Sequence, residues 1–205
     1  MRADEGVTAA AQREQQFVDA VIAIAITLLA LGLPLPEGAT NDDLLRSAWG
    51  HRQDYAVFAI SFVVIYVRWA GHHRVFRHVV ATDGGMGLLT AAWLFLVVLT
   101  PFATEVLSGD GAFAVRFGFY ALVQGAMSLV FVVMMRQVVR AGLARDGTPA
   151  GVFRRAATGS AVSAVAFVGS VPLSVVTPWA YACWALVPAL GEVAARLRRR
   201  VRPAS

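Results

Sequence analysis

Long apolar stretches recur along this chain, and they limit its fold more than any other feature. The first runs from Phe17 to Leu35, and others begin near Tyr55, Gly87, Ala112, Ala156 and Pro178. About 20 helical residues cross the roughly 30 Å hydrocarbon layer of a bilayer. No water is present there to satisfy backbone N–H and C=O groups, and a helix satisfies them within its own segment. The chain is 58% hydrophobic and only 15% charged, against about 45–50% and about 25% for soluble domains. The expectation is an all-α polytopic membrane protein, a single domain over residues 1–205. Its six transmembrane helices fall at approximately 14–34, 55–71, 87–107, 112–135, 156–175 and 178–197.

Breaker residues mark the ends of these spans. Gly32, Pro34 and Pro36 close the first. Residues 37–54 read as an acidic external loop with a short helix around Leu44–Trp49, and Ser108–Gly111 has the composition of a tight turn. Val176 and Thr177 join the last two spans as a hairpin. The first run is too long for a signal peptide, lacks a clean cleavage sequence, and is read as retained. All 18 basic residues are Arg, and 15 fall in segments 1–16, 68–87, 136–157 and 191–205. The excess of positive charge on cytoplasmic loops then places both termini in the cytoplasm, which requires an even number of spans.

Several functions lack their signatures. There is no Gly-rich phosphate loop, no nucleophile elbow and no HExxH, so neither an enzyme nor a cofactor is expected. Cys183 is a lone cysteine, most simply a small packing residue. The potassium-filter sequence TVGYG is absent. Arg198–Arg200 and Arg202 read as a topology anchor beside anionic lipid, not as a nucleic-acid site.

Ionisable groups at membrane depth are costly and therefore informative. Asp19 lies about one turn inside the first span, and Arg13 precedes it by six residues. That separation places the two on different sides of a helix, so each is expected to bond to neighbouring helices. Further along, Ile24, Thr27, Leu28 and Leu31 fall within about 100° of one another on a helical wheel. By periodicity alone this is a lipid-facing or packing stripe, and the small Ala20, Ala23 and Ala30 permit close helix contact. In the second span Trp69 and His72 share a face. Trp69 reads as an interface anchor, Arg68 as a residue that snorkels to the same boundary, and the histidines as a hydrogen-bonding layer behind the first span.

Taken together, these residues resemble the TMEM175 family of lysosomal potassium channels and their bacterial relatives. The family pattern Arg-x-x-x-Phe-Ser-Asp is met by Arg13, Phe17 and Asp19, and Ala23–Leu29 resembles the run that follows it. Ser61-Phe62, Trp69, His72, His73 and Arg74 are similar to the end of the second span, and Pro101-Phe102 with Thr104 to the end of the third. Val18 stands in place of the motif serine, and Thr90 where related bacterial sequences tend to have Asn.

The resemblance implies a homotetrameric, potassium-permeable cation channel in a prokaryotic cell membrane, with the first span of each subunit lining the pore. Ile24 would form the hydrophobic constriction, Leu28 and Leu31 the next layers, and Thr27 a hydroxyl beside it, with K+ held only transiently near Ile24 and Thr27. Arg13, Phe17, Asp19, Trp69, His72 and Thr90 would form the structural or gating network. Two other readings stand beside this one: a small proton-coupled transporter using Asp19, and a non-conducting structural membrane protein.

Overall fold

The computed structural model describes residues 2–149 and 151–184. It is helical throughout: α1 (Arg2–Leu31), α2 (Asn41–Gly50), α3 (Arg52–Phe76), α4 (Gly84–Ser108), α5 (Phe113–Arg140) and α6 (Gly151–Ser174), then a 3-10 turn at Pro178–Tyr181. Five of these, α1 and α3 to α6, are long and apolar enough to cross a membrane. The expectation of six spans is thus met for five. Of the sixth, at 178–197, only residues 178–184 are described, and the rest lies outside the described residues.

The helices run past the limits read from hydropathy. α1 begins at Arg2, not near residue 14, and α5 continues to Arg140, five residues beyond the expected end. Hydropathy marks only the stretch that lipid can cover, whereas Arg and Gln are good helix formers and carry the helix on into water. Chain breaks follow side-chain chemistry more closely. Asp83 caps α4, its Oδ1 accepting from the Met86 amide at 2.6 Å and its Oδ2 from Gln137 Nε2 at 2.8 Å. Thr40 caps the short α2 by accepting from the Asp43 amide at 3.2 Å. Gly111, with φ of 72°, supplies the left-handed turn between α4 and α5.

α5 is the axis of the bundle. It packs against α4 and α6, and 67% of its most apolar window is buried, against 22% for α1, α3 and α6. Gly125 allows the α5–α6 contact, because a Cβ there would lie 2.7 Å from Val168 Cγ2. At one end of the bundle Trp184 stacks on Phe117 and Tyr120 while Tyr181 meets Phe117 and Trp184 edge-on, all with ring centroids about 5 Å apart. At the other, a single antiparallel bridge between Val79 and Ala144 joins the α3–α4 and α5–α6 loops. There the Val80 amide donates to Leu143 O at 3.0 Å and the Arg145 amide to His78 O at 2.8 Å. Among the described residues α1 sits at the edge, its backbone neighbouring that of α3 and α4 while its side chains share a core with α5 as well.

Candidate functional site

α1 has two faces of similar apolarity and opposite fate. Val18, Ile22, Ala25 and Leu29, at spacings of four, three and four, enter the core formed with α3, α4 and α5. On the other side Phe17 is 62% exposed, Ile24 59% and Leu31 80%, and Leu28 is also exposed. Thr27 shares this open face. Its hydroxyl donates to Ile24 O at 2.8 Å, so its proton is committed to the helix while its lone pairs remain free to face a cation.

The polar residues near the start of α1 divide in the same way. Asp19 Oδ1 accepts a hydrogen bond from Trp69 Nε1 at 2.9 Å, and its Oδ2 lies 3.9 Å from His73 Nδ1. Trp69 is therefore half-buried and engaged with a carboxylate, where residue-by-residue reading makes it a free interface anchor. Arg13 is exposed and makes no side-chain hydrogen bond or ion pair among the described residues, and Phe17 points away from the core beside it. His72 is buried and stacks on Phe76 at 3.9 Å and against Trp93 at 4.9 Å. Thr90 is buried on α4. His73, not His72, is thus the histidine that approaches Asp19.

A second polar system was not legible as a unit in the sequence. Thr104 Oγ1 lies 2.9 Å from Ser61 Oγ, which donates to Tyr120 OH at 3.2 Å. Gln124 Nε2 donates to Thr100 Oγ1 at 3.2 Å, and Ser128 Oγ bonds back to Gln124 O at 2.7 Å. Arg68 donates to Ser128 Oγ and lies 5.8 Å over the Phe167 ring, so it turns into the bundle instead of snorkelling outward. The available signal was spacing: Thr100 with Thr104, and Gln124 with Ser128, are each four apart and so share a helix face.

No group of three or more His, Cys, Asp or Glu side chains able to hold a metal occurs among the described residues. The open face of α1 offers an apolar surface and a single hydroxyl, that of Thr27, which can narrow and dry a passage without fixing an ion.

Comparison with known proteins fits this architecture. Residues 13–101 match the family described as endosomal/lysosomal potassium channel TMEM175. A potassium channel of Streptomyces collinus is 34% identical over 134 residues, covering 63% of this chain and 65% of that protein. One from Chamaesiphon minutus is 37% identical over 101 residues, covering 47% and 48%. The matched segments thus span about half to two thirds of the curated relatives' length. The crystal structure of a lysosomal potassium-selective channel TMEM175 homolog from Chamaesiphon minutus superposes with a TM-score of 0.72 at 26% identity, covering 89% of this chain and 97% of that one. The bacterial relatives and the apolar helices place the chain in a prokaryotic cell membrane. Its motif-bearing first half, its helix order and its superposition agree in making the chain similar to the TMEM175 family.

Proposed function

We infer that the chain is one subunit of a potassium-permeable cation channel in which four copies set their α1 helices around a common axis. The observation that carries this reading is the open face of α1. Ile24, Leu28 and Leu31 lie exposed along one line, while the opposite line is fully packed. Symmetry turns such a face into a lumen at no cost in new sequence, since each copy presents the same residues to the axis.

In this arrangement four Ile24 side chains form the narrowest ring and exclude water, and small helix movements rehydrate it. Leu28 and Leu31 continue the apolar lining toward one end, and Thr27 supplies hydroxyl oxygens beside the ring. Selectivity then rests on the cost of partly dehydrating the ion, so a weak preference for K+ over Na+ is expected. Arg13, Phe17, Asp19, Trp69, His72 and Thr90 hold or steer the helix and do not touch the ion. Both termini face the cytoplasm, with Arg-rich loops on the same side.

The transporter reading makes Asp19 a proton carrier. Its carboxylate already accepts an indole N–H and sits beside an imidazole, which favours a bracing role. Potassium and sodium currents through purified protein in planar bilayers, with Ile24→Asn beside wild type, test the channel. Sustained wild-type current that the polar substitution raises, or whose selectivity it flattens, supports the ring. Silence from both proteins, with four-subunit assembly confirmed by cross-linking, would sink it.

A further inference from the structure

Three buried polar atoms beside α1 have no hydrogen-bond partner: His72 Nε2, Thr90 Oγ1 and Trp93 Nε1. His72 is 2% exposed and Thr90 4%. Such atoms in protein interiors are paired with protein or with ordered water. His72 and Thr90 also line one small cavity, together with Val18, Glu14 and Gln15 of α1, and its size suits a single water molecule. Val18 lines it with an apolar side chain that offers neither donor nor acceptor.

Thr90 behaves unlike other threonines in the bundle. Thr27, Thr100, Thr104 and Thr158 each donate to a carbonyl three or four residues back in their own helix, which is the usual way a helical threonine satisfies itself. Thr90 makes no such bond and lines the cavity instead. We propose that this cavity is a built site for one ordered water, bridging His72 Nε2 to Thr90 Oγ1 and tying α3 to α4 behind the core face of α1.

Water suits the site better than a fixed side chain because it can donate to or accept from Nε2, whichever tautomer the imidazole holds. Trp93 Nε1 does not line the cavity and takes no part. The bridge does not depend on the channel reading, since it concerns only how α3 and α4 are joined.

The test uses the full chain in detergent or nanodiscs. A cryo-EM map fine enough to show ordered waters should contain a peak between His72 Nε2 and Thr90 Oγ1, and that peak should vanish in Thr90→Val. Thr90→Val, nearly the same shape but without the hydroxyl, should lower the melting temperature by roughly 2–4 °C, while Thr90→Ser should stay near wild type. An empty cavity in the wild-type map, or a Thr90→Val protein as stable as wild type, overturns the proposal. If Thr90→Val does not fold, the wild-type map and the Thr90→Ser melt decide it alone.

Discussion

α1 and α5 are both apolar helices of spanning length, yet they serve the bundle in opposite ways. α5 is enclosed by α4 and α6 and carries Tyr120, Gln124 and Ser128 inward, where they meet Ser61, Arg68 and Thr100. α1 keeps one flank for packing and leaves the other bare, with only Thr27 as a polar group on the bare side near Ile24. In lipid, apolar side chains gain little by leaving the solvent, so helix association relies on close fit and interhelical hydrogen bonds. α5 has both in quantity. α1 has one polar tie and an aliphatic seam, which suits an element that shifts while the rest stays fixed.

Substitutions in the two helices can break or sharpen this contrast. The largest effect is expected at Gly125→Val, because the new side chain would meet Val168 and force α5 from α6. Overpacking of this kind costs about 1–3 kcal/mol or more, and the check is loss of monodisperse protein on size exclusion. Within α1, Ile22→Asn buries an amide in the core and should cost about 2 kcal/mol or more. Ile24→Asn, two residues away on the open face, should stay within about 0.5 kcal/mol. Thermal melts of the pair measure the difference directly, and equal destabilisation would erase the distinction between the faces.

Ser128→Ala removes one of two acceptors of Arg68 and leaves its guanidinium inside the bundle with only the long bond to Gln124 O at 3.5 Å. A loss of about 1–3 kcal/mol is expected, read by denaturant or thermal unfolding. A smaller effect, about 0.6 kcal/mol for one interhelical bond in lipid, is expected from Ser61→Ala, which removes the hydroxyl shared by Thr104 and Tyr120. A loss at Ser61 as large as that at Ser128 would show the polar chain to be one cooperative unit.

Much of the framework was legible because hydrophobic length and proline placement are local signals. The short helix in the acidic loop and the tight α4–α5 turn were readable in this way, and α1 ends at Leu31, just before the first of the breakers Gly32, Pro34 and Pro36 and short of the expected limit at 34. Helix ends beyond the membrane were not, since arginine continues a helix as readily as it ends an apolar run. The Ile24, Thr27, Leu28 and Leu31 stripe was visible from periodicity, but which stripe of α1 faces the core depends on where α3 and α4 lie. The engagement of Trp69 with Asp19 was hidden for the same reason: 50 residues separate them. Arg68 was misread because sequence gives its depth along α3 and not the direction in which its side chain turns.

The indole–carboxylate bond between Trp69 and Asp19 is the only side-chain hydrogen bond from α1 to another element among the described residues. Mechanically it is a fulcrum. At about 1.5 Å of rise per residue, Ile24 stands about 7.5 Å along the lever from Asp19 and Leu31 about 18 Å. A tilt of about 5° about that point carries the first about 0.7 Å and the second about 1.6 Å. The far end of the helix therefore sweeps more than twice as far as the position of Ile24, and in the proposed pore the same tilt would widen the mouth far more than the ring.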